Sequence, residues 1–102
     1  MIAYKILTED QWLNFTTDGA FAGAPVDLAD GYIHMSTAEQ LDETLSKHFA
    51  GQTGLVVASI DLDTLGDALK WEPSRGGALF PHYYGKLPLS AVVATSSPTP
   101  LP

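Results

Sequence analysis

Apolar and polar positions along the chain follow two spacings, and the changes from one to the other outline the elements. Residues 2–7 form a first strand, and Thr8 caps a short helix over residues 9–15 with Glu9 and Asp10 in its first turn. Trp12 and Phe15 lie three apart and share the face of that helix turned to the core. Residues 16–30 are rich in Gly, Ala and Asp and contain Pro25, which predicts a long loop able to carry part of a binding site. Asp30-Gly31 then marks a turn, and the next residues alternate. Ile33 and Met35 point one way, and Tyr32, His34 and Ser36 the other.

The strongest helical pattern covers residues 37–49, where Ala38, Leu41, Leu45 and Phe49 make one apolar stripe. Ser36 and Glu39 have capping-box spacing, Gly51 supplies a stop, and Glu43 with Lys47 adds an i,i+4 pair worth ~0.3 kcal/mol. Residues 55–60 are almost continuously apolar and β-branched, as in a strand covered on both faces. Residues 61–69 predict a short helix or turn capped by Asp61 or Asp63. Extended pieces follow at 70–72 and 78–84, split by Pro73-Ser74-Arg75-Gly76-Gly77, and a last strand at 89–94. The expected fold is therefore α+β, with small curved mixed sheets and two or three helices. A globular domain would span residues 1–95, and residues 96–102 would form a flexible Ser/Pro tail.

Composition narrows the function classes. The absence of cysteine among the 102 residues excludes disulfides, thiolate metal sites and a cysteine nucleophile. Twelve acids against five Lys and Arg give a formal charge of −7, which disfavours non-specific nucleic acid and anionic membranes. Three of the cations, Lys70, Arg75 and Lys86, fall in one short segment with His82, so charge to meet a small anionic ligand is available there. The first residues lack a basic leader, and no apolar run is long enough to span a bilayer; a cytoplasmic protein is expected.

Four groups of residues carry candidate chemistry. His34 and Ser36 project from one strand face beside a helix start, a setting with free backbone N–H groups. Glu72 lies between Trp71 and Pro73, where a carboxylate pKa is open to tuning. Arg75 precedes Gly76-Gly77, a pair that lets backbone approach a ligand while the guanidinium forks onto its anion. Phe80, His82 and Tyr84 share a strand face and form an aromatic wall suited to a planar ligand. Taken singly, each group also has an ordinary structural role, and His48 beside Phe49 is assigned one. His34, His48 and His82 lack metal-ligand spacing, so no metal is expected.

In their order and separation, three blocks resemble the bacterial domain-of-unknown-function family 952 over most of the chain. They are Asp30-Gly31-Tyr32-Ile33-His34-Met35-Ser36-Thr37, Trp71-Glu72, and Phe80-Pro81-His82-Tyr83-Tyr84-Gly85. The resemblance implies a fold similar to that of the ADP-ribosyltransferases. His34 would contact a ribose with Ser36 beside it, Glu72 would support a ribosyl cation, and Phe80, His82 and Tyr84 would hold a planar base. NAD is the substrate it implies, and Glu72 with His34 the catalytic pair. The chain departs from that group in lacking a Ser-Thr-Ser element and in having Lys70, not an acid, two residues before Glu72. The function expected is thus a cleft for a nucleotide-like or anionic small molecule, with ADP-ribosyl or glycosyl transfer or hydrolysis. The alternative is a non-catalytic module that senses a metabolite or binds a protein.

Overall fold

A computed structural model of the protein describes residues 1–98. In chain order the elements are β1 (Ile2–Leu7), α1 (Glu9–Asp18), β2 (Ala20–Phe21), α2 (Pro25–Asp30), β3 (Ile33–His34) and α3 (Ala38–His48). The second half supplies β4 (Val56–Asp61), β5 (Leu69–Pro73), β6 (Leu79–Tyr83), β7 (Leu87–Pro88) and β8 (Val92–Ser96). Three small sheets result, in the orders β1-β4-β8, β2-β7 and β3-β6-β5. Among the described residues the class is α+β with three α-helices, as expected, but every strand pairing is antiparallel, which corrects the expectation of mixed sheets. Parallel neighbours require long crossovers, whereas connections such as the turn between β5 and β6 send the chain straight back.

Local chemistry explains the helices. Thr8 Oγ1 accepts from the Gln11 N–H at 3.1 Å while Gln11 Oε1 accepts from the Thr8 N–H at 2.9 Å, a reciprocal cap for α1. Gly19 ends it at φ 76°, its N–H donating to Phe15 O. The helix runs past its predicted end to Asp18, and within that extension the Thr16 and Thr17 hydroxyls donate back to Leu13 O. The loop expected over 16–30 also contains β2 and α2. Pro25 opens α2, and Asp27 Oδ2 accepts from the Ala24 N–H at 2.8 Å.

The cap of α3 is Thr37, not Ser36: Gln40 Oε1 accepts from the Thr37 N–H at 3.0 Å. Ser36 is drawn instead into a two-way backbone bridge with Tyr4, at 2.8 and 2.9 Å. Lys47 and Glu43 pair at 2.8 Å on the exposed side of α3, as expected.

Phe15, Phe21, Leu7, Ile33, Ile60 and Leu87 form the main core, with the Phe15 and Phe21 rings stacked at 5.6 Å. Trp12 meets Phe15 edge-on at 5.6 Å, so the two do share the inner face of α1. Ile6, Leu55 and Val57 form a second cluster under Leu41, Leu45 and Phe49. Strand β4 is thus covered on both faces, with Ala58 and Ile60 in one cluster and Val57 in the other. Beyond it, residues 62–68 form two 3-10 turns, the first capped by Asp61, whose Oδ1 accepts from the Asp63 N–H. The last strand starts later than predicted because Leu89–Ala91 is a 3-10 turn that buries Ala91. The tail expected from residue 96 begins inside β8, and residues 99–102 lie outside the described residues. Among the described residues no helix is long and apolar enough to cross a membrane.

Candidate functional site

Residues 3, 5 and 7 of β1 face inward, which buries Lys5 between Ala3 and Leu7. Its ammonium meets Asp27 Oδ2 at 2.8 Å and donates to His34 O at 3.0 Å. Burial draws the Lys5 pKa below its ordinary value, and the Asp27 charge opposes that shift. Asp27, on α2, is almost wholly enclosed and also accepts from the His34 N–H at 3.1 Å and from His34 Nδ1–H at 2.6 Å. Burial pushes this carboxyl up, but the imidazole, the ammonium and the Ala24 N–H outweigh it and hold the group at about 2. An ionised carboxylate only accepts, so the proton on His34 Nδ1 is fixed. His34 Nε2, in turn, lies 2.9 Å from Asp30 Oδ2.

The second half of the site comes from the β3-β6-β5 sheet. His34 and His82 are register partners across β3 and β6, with ring centroids 5.5 Å apart. His82 Nδ1 lies 2.9 Å from Glu72 Oε1, which also accepts from the Tyr84 hydroxyl at 2.7 Å. These two donors lower the Glu72 pKa, Tyr84 first, and Glu72 raises the Tyr84 phenol to about 12. Ionised Glu72 therefore fixes the proton on Nδ1 of His82 and leaves Nε2 as an acceptor in the neutral ring. The His82 side chain is 3% exposed, and among the described residues Nε2 has no hydrogen-bond partner. Tyr32 stacks on His82 at 4.1 Å and 21°, and its ring also approaches His34 at 4.6 Å and Tyr84 at 5.2 Å.

A cleft of about 530 Å³ opens beside these rings, within the range of small-molecule sites. Of the residues singled out in the sequence, His34, Ser36, Phe80 and His82 line it. Glu72 and Tyr84 are not on its wall and reach it through His82. Arg75 lies in the turn between β5 and β6, next to Ser74, which does line the cleft. The Ser36 hydroxyl is not free for an anion: Thr44 Oγ1 donates to Gln40 O and so accepts from Ser36 Oγ at 3.0 Å. His48, assigned a structural place, is exposed and lines the cleft. Among the described residues no group of three or more His, Cys, Asp or Glu is disposed to hold a metal.

Sequence reasoning missed Lys5, Asp27 and Asp30, and placed Tyr32 on the correct face without a role. The signal for Lys5 was present, since a lysine in the inward register of an apolar strand requires a buried carboxylate. Nothing local marked Asp27 as that carboxylate.

The family model for proteins of unknown function, DUF952, matches residues 6–95, and the chain belongs to that family. The X-ray structure of protein CC0527 from Caulobacter crescentus is 46% identical and superimposes with a TM-score of 0.92, covering 95% of this chain and 85% of that one. The solution NMR structure of CC0527 is 47% identical with a TM-score of 0.84, covering 94% and 83%. No curated protein matches.

Proposed function

We propose that the cleft binds a nucleotide-like or other anionic small molecule and that His82 acts on it as a general base. The observation that carries this reading is the buried ring of His82, a cleft-lining residue pinned at Nδ1 by Glu72 and, among the described residues, unpartnered at Nε2. Leaving a buried polar atom unsatisfied costs about 1–3 kcal/mol, a cost that a ligand hydroxyl or a water removes. Phe80 and the imidazoles of His34 and His82, which line the cleft, suit a planar base.

The reaction class that fits best is transfer at a glycosidic carbon, with NAD as the leading substrate and an ADP-ribosyltransferase-like arrangement of the small sheets. Nicotinamide leaves NAD as a neutral molecule, taking the electron pair of the broken C–N bond, so the leaving group needs no acid. The incoming hydroxyl does need a base, and Nε2 of His82 takes its proton as the new C–O bond forms. Glu72 is then a positioning residue that fixes the His82 tautomer, while His34 lines the cleft beside it.

Calorimetry of the pure protein with NAD, ADP-ribose and simple nucleotides tests the reading, coupled to a search for released nicotinamide. His82→Ala should retain ligand and lose turnover, and Glu72→Gln should lower turnover while shifting its pH profile. Binding without turnover in the unaltered protein would identify a sensing module instead. No binding at millimolar ligand by a folded sample removes the NAD version.

A further inference from the structure

The two nitrogens of His34 both face carboxylates, yet the two carboxylates are held very differently. Asp27 is enclosed and tied by Lys5, the His34 ring and backbone, and Ala24. The Asp30 side chain is 46% exposed, the residue lines the cleft, and its carboxylate makes no other hydrogen bond among the described residues. It ends α2, and Gly31 after it has φ 88° and nothing within 4 Å of where a Cβ would lie.

We infer that Asp30 holds, with its own carboxylate, the place of an oxyanion carried by the ligand, and that His34 Nε2–H is the donor that receives it. The inference rests on the reading that the cleft binds a small molecule, and it names the charge that molecule carries. A neutral imidazole has one N–H, so both contacts are satisfied together only when the ring carries two protons. Lys5 and His34 then balance Asp27 and Asp30. Turning Asp30 out into water leaves one positive charge in excess, which one negative charge on the ligand restores. A carboxylate or a phosphodiester meets that demand and reproduces the hydrogen bond Asp30 makes. The hydroxyl handled by His82 would lie nearby, since the two rings are 5.5 Å apart.

The test uses acetate and dimethyl phosphate as probes of the two oxyanion sources, with the His34 ring resonances as the readout. In Asp30→Ala each effective probe should shift those resonances with about tenfold tighter affinity than in the unaltered protein, the scale of one charge-assisted contact. The gain should vanish in Asp30→Ala combined with His34→Ala. If Asp30→Ala responds no better than the unaltered protein to either probe, the inference is overturned. Should Asp30→Ala fold poorly, Asp30→Asn removes the competing charge while keeping an acceptor, and the same gain is required of it. Adenosine separates this result from the reading it rests on. Adenosine bound equally by both proteins, with His34 unmoved by either anion, sinks the oxyanion site and leaves the cleft. Failure of adenosine and NAD, with His34 still responding in Asp30→Ala, supports the oxyanion site and removes the nucleotide.

Discussion

The two imidazole–carboxylate pairs, whose histidines sit on the neighbouring strands β3 and β6, have the same kind of partners and inverted burial. In the first, the Asp27 side chain is 1% exposed and the His34 ring 29%. In the second, the His82 ring is 3% exposed and the Glu72 side chain 37%. The enclosed member decides what each pair does. Asp27 has a donor at each oxygen, so its pair ties β1, α2 and β3 together. Among the described residues His82 has one nitrogen satisfied and one left over, the feature on which the proposed chemistry rests. Polar satisfaction separates scaffold from chemistry where residue type does not.

The largest effect should come from breaking the first pair. Asp27→Ala strands the buried Lys5 ammonium and should cost about 3–5 kcal/mol in urea unfolding. Lys5→Met combined with Asp27→Leu, which removes both charges, should recover much of that loss. Glu72→Ala should lower the urea midpoint clearly less than Asp27→Ala, because it strands no buried charge and water can reach the place the carboxylate leaves beside His82 Nδ1. A loss in Glu72→Ala equal to that in Asp27→Ala would end the distinction drawn between the two pairs.

Acid comes next. Asp27 is held at about 2 against an ordinary 3.8, so the folded state binds this proton less readily than the unfolded chain. Its stabilisation is complete above pH 4 or so and disappears as pH falls through the folded value. The loss should be about 2 kcal/mol between roughly pH 4 and pH 2. Unfolding midpoints against pH should show that limb, and Asp27→Asn should flatten it. The second pair has its own signature: Glu72→Gln should let the Tyr84 phenol fall from about 12 toward its ordinary 10, followed as phenolate absorbance against a Tyr84→Phe control.

The strands and helices with a clean period were legible in the sequence. Residues 2–7 and 37–49 were placed nearly as found, because a buried stripe dictates their faces. His34, Ser36, Phe80 and His82 were legible as cleft residues because alternation along short strands puts them on shared faces. What escaped was set by long-range polar contacts. Ser36 lost the cap of α3 to Thr37 through its bridge to Tyr4, thirty-two positions away in the chain. Asp27 looked like one more acid in a loop, since only the fold brings Lys5 and His34 to it. Glu72 was expected on the cleft wall, and its bonds to His82 and Tyr84 make it a support for a residue that lines the cleft.

The smallest effect bears most directly on whether the two pairs form one site. Tyr32 is the ring they share: it lies at 21° to His82 and at 49° to His34. A double-mutant cycle between Tyr32→Leu and His82→Ala should give a coupling of about 1 kcal/mol, in the range for stacked rings. The Tyr32–His34 cycle should give less, since that ring is tilted and partly in water. Ligand binding should then raise the Tyr32–His82 coupling, because a base seated against Phe80 restricts the freedom of both rings. A Tyr32–His34 coupling larger than the Tyr32–His82 one would place the organising contact on the scaffold side, and would make His34, not His82, the ring to pursue.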